Sequence, residues 1–109
     1  MAKPVIITVD DDPQVLSAIR RDLRERYAED YQILSAPSGG EALAMVDELV
    51  DGARTVAAFV VDQRMPEMTG TEFLLEAQQR FPDAKRLLLT AYADTEAAIQ
   101  AINDVGLDH

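Results

Sequence analysis

The chain has 109 residues, enough for one domain, with 48% hydrophobic and 28% charged residues, the make-up of a globular protein. Cysteine is absent and histidine occurs once, at His109, which excludes disulfide frameworks, thiolate metal centres and His-rich zinc sites. Twenty acids against ten bases give a formal net charge of −10, which disfavours direct binding to nucleic acid or anionic lipid.

Met1 to Pro4 is too short and too polar for a signal peptide. The apolar runs fall far short of the ~20 residues that cross a bilayer, so a cytoplasmic location is expected. Those runs alternate with helical periods, the pattern of βα units around a parallel sheet. Val5-Ile6-Ile7-Thr8-Val9 is a β-branched strand that ends abruptly in Asp10-Asp11-Asp12. Pro13 suits the first position of a helix capped by Asp12, and Leu16, Ile19, Leu23 and Tyr27 give that helix one apolar face.

A second strand is expected over residues 31–36. Ser38 and Glu41 have the spacing of a capping box, opening a helix whose buried stripe would be Ala42, Leu43, Val46, Leu49 and Val50. Residues 56–61 form a continuous apolar run, as for a central strand covered on both faces, and the run ends at Asp62. After the loop from Gln63 to Met68, Thr69 and Glu72 offer a second capping box for a helix through Arg80, stopped by Phe81-Pro82-Asp83. A fourth strand over residues 86–89 ends at Thr90, and a fourth helix is expected over residues 95–103. The sequence then ends where another strand would be due, which reads as a domain truncated before its fifth βα unit, spanning residues 1–109. The apolar surface so exposed would favour a homodimer.

Acidic or hydroxyl residues thus follow three different strands: Asp10 and Asp11 the first, Asp62 the third, Thr90 the fourth. Open parallel sheets bind ligands outside the carboxyl ends of their strands, at the topological switch point. If the three strands are neighbours, these groups converge there. Clustered carboxylates repel one another, and a hard divalent cation removes the conflict. Asp11 and Asp62 are the natural direct ligands of Mg²⁺, with Mn²⁺ a substitute; Asp10 would hold a coordinated water. Asp62 could then act as a nucleophile toward a phosphoryl group, with the Thr90 hydroxyl donating to a phosphoryl oxygen. Taken singly, Asp12 is best read as a helix cap, Asp62 equally as a turn residue, and Thr90 as an ordinary strand-end threonine. Their joint order carries the reading.

The segments Val9-Asp10-Asp11-Asp12-Pro13, Val61-Asp62-Gln63-Arg64-Met65-Pro66-Glu67-Met68-Thr69-Gly70 and Leu89-Thr90-Ala91 resemble those of the response-regulator receiver family. The resemblance implies a flavodoxin-like, doubly wound α/β sheet in the order 2-1-3-4, followed by a fifth strand that is missing here. It implies Asp62 as phosphoacceptor, Asp10 and Asp11 as the acidic pair at Mg²⁺, the Arg64 backbone carbonyl as a further metal ligand and Thr90 as the switch hydroxyl. A histidine kinase or phosphotransfer protein would be the donor, and an output domain or downstream protein the recipient. One departure stands out. The family's lysine after the fifth strand has no counterpart, since Lys3 precedes the first strand and Lys85 begins the fourth. Arg64 and Tyr92, each two residues past a site residue, would slow hydrolysis of the acyl phosphate by obstructing water; the alternative is that both point into solvent.

Two other functions are compatible with parts of the pattern. Asp10 and Asp12 have the spacing of the nucleophile and general acid in haloacid-dehalogenase phosphohydrolases, although Gln14 departs from that motif and the late acidic pair is absent. A receiver-like docking module that takes no phosphate would account for the missing lysine. A flavodoxin-type flavin carrier is excluded, because three aspartates after the first strand would repel the cofactor phosphate.

Overall fold

A computed structural model describes residues 3–89. It contains β1 (Val5–Val9), α1 (Pro13–Tyr27), β2 (Gln32–Ala36), α2 (Gly39–Asp51), β3 (Val56–Asp62), α3 (Gly70–Arg80) and β4 (Lys85–Leu89). All strand pairs are parallel, and the sheet order is β2-β1-β3-β4. The expected α/β architecture and strand order are therefore present. The expected helix over residues 95–103, Thr90 and Tyr92 lie outside the described residues.

Each helix starts where its sequence supplies a cap. Asp12 accepts the amides of Gln14 and Val15 at 2.9 and 3.3 Å, with Pro13 opening α1. Ser38 takes the Glu41 amide at the head of α2, supplying its half of the anticipated box. At α3 both halves form: Thr69 Oγ1 accepts the Glu72 amide and Glu72 Oε1 accepts that of Thr69.

The two sheet faces have separate cores. Ile6, Ala58 and Val60 meet Ile19, Leu23 and Tyr27 of α1, with Tyr27 and Tyr31 edge to face at 5.9 Å between ring centroids. Val5, Ile7, Val9, Phe59 and Val61 meet α2 and α3, where Phe59 and Phe73 make a second edge-to-face pair at 5.7 Å. This two-sided covering explains why β1 is buried along its whole length.

Two expectations need correction. Val50 is 46% exposed and is not part of the buried stripe of α2. One residue past Leu49 is a rotation of about 100° around the helix, which turns Val50 out to solvent. The second strand begins at Gln32, because the Tyr31 amide still bonds back to the Tyr27 carbonyl at 2.8 Å in the turn after α1. Tyr31 is buried nonetheless.

Candidate metal and phosphoacceptor site

Because β1 and β3 are neighbours and parallel, their carboxyl ends lie side by side. Asp10 follows β1 directly. Its amide reaches the Ala36 carbonyl at the end of β2, at 3.3 Å, and the residue is only 5% exposed. Asp10 Oδ1 accepts the Asp12 amide at 2.9 Å, which aims the carboxylate across the strand ends. Asp11, next in the chain, is exposed. Asp62 is the last residue of β3 and pairs with Leu89, the last of β4.

One carboxylate oxygen from each of Asp10, Asp11 and Asp62 lies within 4.8 Å of the other two. The three carboxylates expected at the strand ends therefore come together, while Thr90 lies outside the described residues. Asp12 stands apart, its carboxylate occupied at the start of α1.

This crowding sets the electrostatics. The Asp10 carboxyl is pushed up from 3.8 to about 6, first by burial and then by the charges of Asp62, Asp11 and Asp12, against the opposing Asp12 hydrogen bond. Asp62 is also raised, again chiefly by burial, with Asp11 adding to the rise. Backbone hydrogen bonds from Arg64 and Gln63 and the charge of the Arg64 guanidinium oppose it. A cation between the carboxylates would reverse both upward pressures.

The donor set suits a hard ion, since every candidate ligand atom is oxygen. Ligands at about 2.1 Å from Mg²⁺ stand about 3.0 Å apart when adjacent and about 4.2 Å apart when opposite, so carboxylates that share one ion must draw together to that spacing. At the opposite end of the sheet, Lys85 begins β4, and Lys3 Nζ bonds the Ala28 carbonyl at 2.7 Å. Neither lysine belongs to the carboxylate cluster.

Two residues near the site have roles that sequence reasoning misses. Gly70 packs so tightly that a Cβ there would stand 2.5 Å from the Asp62 carbonyl oxygen and 2.7 Å from Leu88 Cδ1. Its place in the motif suggests loop shape alone, whereas the structure seats the first turn of α3 directly on the phosphoacceptor candidate's backbone. Gln63 accepts the Thr71 amide and hydroxyl through Oε1, both at 2.9 Å. A glutamine after a strand has no local signature for such a contact. The nearby glycine, which permits close approach, is the available hint.

The sequence profile of the response regulator receiver domain matches residues 6–109. The chain belongs to this family. Among its relatives, the hydrogenase transcriptional regulatory protein HoxA of Cupriavidus necator is 33% identical over 102 residues, covering 94% of this chain. The chain spans only 19% of that relative's length. A CheY-like receiver domain protein from Methanospirillum hungatei superposes with a TM-score of 0.69 at 28% identity, over 94% of this chain and 75% of that one. A response regulator from Burkholderia pseudomallei, solved with a phosphorylated aspartic acid, a calcium ion and citrate, gives 0.68 at 26% identity, over 94% and 55%.

As a receiver domain, the chain is a regulatory module of two-component, phosphorelay signalling. Receivers of this family bind Mg²⁺ at an acidic pocket and work with histidine kinases and output domains. Asp10 and Asp12, paired in the phosphohydrolase reading, have different partners in the structure: Asp10 accepts the Asp12 amide, and Asp12 accepts the Gln14 amide. Among the described residues, no helix is long and apolar enough to cross a membrane.

Proposed function

We propose that this receiver accepts a phosphoryl group on Asp62, with Mg²⁺ held by Asp11, Asp62 and the Arg64 backbone carbonyl, and with Asp10 holding a coordinated water. The observation that carries the reading is the meeting of three carboxylates from two strand ends within 4.8 Å. Asp62 lies on the parallel strand beside β1 and stays partly open to solvent, as a nucleophile must.

A phosphohistidine of a histidine kinase or phosphotransfer protein is the donor. An Asp62 carboxylate oxygen attacks phosphorus, and the new P–O bond forms as the P–N bond to the donor imidazole breaks. The imidazole leaves neutral, keeping a proton on its other nitrogen. The bound ion supplies charge neutralisation on the transferring oxygens. Asp10 and Asp11 fix its position, and the Arg64 and Gln63 backbone hydrogen bonds orient the Asp62 carboxylate. Thr90, next in sequence after Leu89, donates its hydroxyl to a phosphoryl oxygen and so relays the chemical state. Arg64 and Tyr92 limit the approach of hydrolytic water and lengthen the lifetime of the acyl phosphate. The reaction takes place in the cytoplasm, and an output domain or downstream protein reads the result.

Incubation with a small phosphodonor and Mg²⁺ tests this reading. The mass should rise by one phosphoryl group, the modified peptide should contain Asp62, and Asp62→Asn should remove the adduct. Modification elsewhere, or none with metal bound, would overturn it. The placement of both lysines at the far end of the sheet favours a phosphate-independent docking module as the second reading, and absence of any adduct would select it.

A further inference from the structure

A helix leaves four amides at its start without intrahelical partners. At α3 all four are satisfied, and by two different devices. Thr69 and Glu72 exchange amide bonds through their side chains at 2.9 and 3.2 Å. The other two amides go to Gln63: Gly70 donates to its carbonyl at 3.2 Å and Thr71 to its Oε1 at 2.9 Å. The Thr71 hydroxyl donates to the same Oε1 at 2.9 Å. Gln63 also donates its own amide to the Leu89 carbonyl at 2.9 Å. The residue directly after Asp62 therefore joins three points: the end of β3, the end of β4 and the first turn of α3.

Between Gln63 and Gly70 the chain makes a closed loop. Met65 is buried in the core on the α2–α3 side of the sheet, Met68 donates its amide to the Pro66 carbonyl at 2.7 Å, and Glu67 adopts a left-handed φ of 69°. Its base is held by the Gln63 bonds and by Gly70 seated on the Asp62 carbonyl. The path of Arg64 is set from both sides.

We infer that Gln63 is a positioning residue: its side chain latches α3 to the end of β3 and so fixes the loop that carries Arg64 beside Asp62. The inference rests on the cation site proposed above. Thr71 is exposed, so water can replace the lost acceptor, and Thr69 with Glu72 still caps the helix. Removing the Gln63 side chain should therefore loosen the loop more than it destabilises the fold. Partners that orient first-sphere ligands typically change metal affinity by about 10- to 100-fold.

The test is a Mg²⁺ titration of the 109-residue chain, paired with hydrogen exchange at the Thr71 amide. Gln63→Ala should weaken Mg²⁺ binding by about tenfold and speed exchange at Thr71. Gln63→Glu keeps an acceptor of the same length and should stay within about threefold of the parent. Thr71→Val removes only the hydroxyl bond and should fall between them; it decides the matter if Gln63→Ala fails to fold. Parent-like Mg²⁺ binding by Gln63→Ala, or equal weakening in Gln63→Glu, overturns the latch. If the parent itself binds no Mg²⁺, the cation site fails, and unchanged Thr71 protection in Gln63→Ala would separately refute the latch.

Discussion

Replacing Asp10 by asparagine should make the metal-free protein more stable. Asp10 is nearly inaccessible, and its carboxyl is raised from 3.8 to about 6 by burial and by its acidic neighbours. Between those values the folded protein holds a proton that the unfolded chain releases, so stability falls as pH climbs from about 4 to about 6 and then levels. At about 1.4 kcal/mol per pH unit, the ionised carboxylate costs up to about 3 kcal/mol at neutral pH. The asparagine amide would keep an oxygen to accept the Asp12 amide, now 2.9 Å away, while shedding the charge. Asp10→Asn should therefore gain about 1–3 kcal/mol at pH 7.5 in chelator, or roughly 5–15 °C in Tm, and the gain should nearly vanish at pH 4. Saturating Mg²⁺ should stabilise the parent by about 3 kcal/mol at a hundredfold excess over Kd and the variant by less, narrowing the gap. Urea unfolding across pH, with and without Mg²⁺, measures all of this. A variant no more stable than the parent at pH 7.5, or equally stabilised at pH 4, would refute the electrostatic reasoning.

Thr8 is fully buried in β1 with no hydrogen-bond partner for its Oγ1, so Thr8→Val should stabilise the fold by about 1 kcal/mol in urea unfolding. Gly70→Ala places a methyl 2.5 Å from the Asp62 carbonyl oxygen, and the first turn of α3 must shift to admit it. That variant should lose about 1–3 kcal/mol in urea unfolding and bind Mg²⁺ more weakly than the parent in a calorimetric titration.

Local rules made much of this legible. Asp12 with Pro13, and Thr69 with Glu72, mark helix starts because caps act within one turn of chain. Asp10 and Asp62 stand out together because both end apolar runs, and acids at two strand ends point to a shared ligand where either alone reads as well as a turn or cap residue. The neighbouring of β1 and β3 came from the family resemblance, since periodicity says nothing about which strands pair. Val50 failed because an apolar residue beside a stripe looks like part of it until the helix phase is known. The bonds from Gln63 to Thr71 leave no mark at Gln63 itself, because they depend on how close Gly70 lets the helix approach the strand. At the other end of the sheet, Arg54 Nη2 reaches the Lys3 carbonyl and Gln32 Oε1 at 2.9 and 2.6 Å, a tie equally invisible in the chain order.

The most direct measurement is an anomalous-scattering map from crystals soaked in Mn²⁺, the redox-quiet stand-in for Mg²⁺. A single strong peak bonded to Asp11 and Asp62, with Asp10 in its hydration sphere, is the predicted result. A map with density only at other acids, or with those carboxylates turned apart around an empty centre, would contradict the shared cation site.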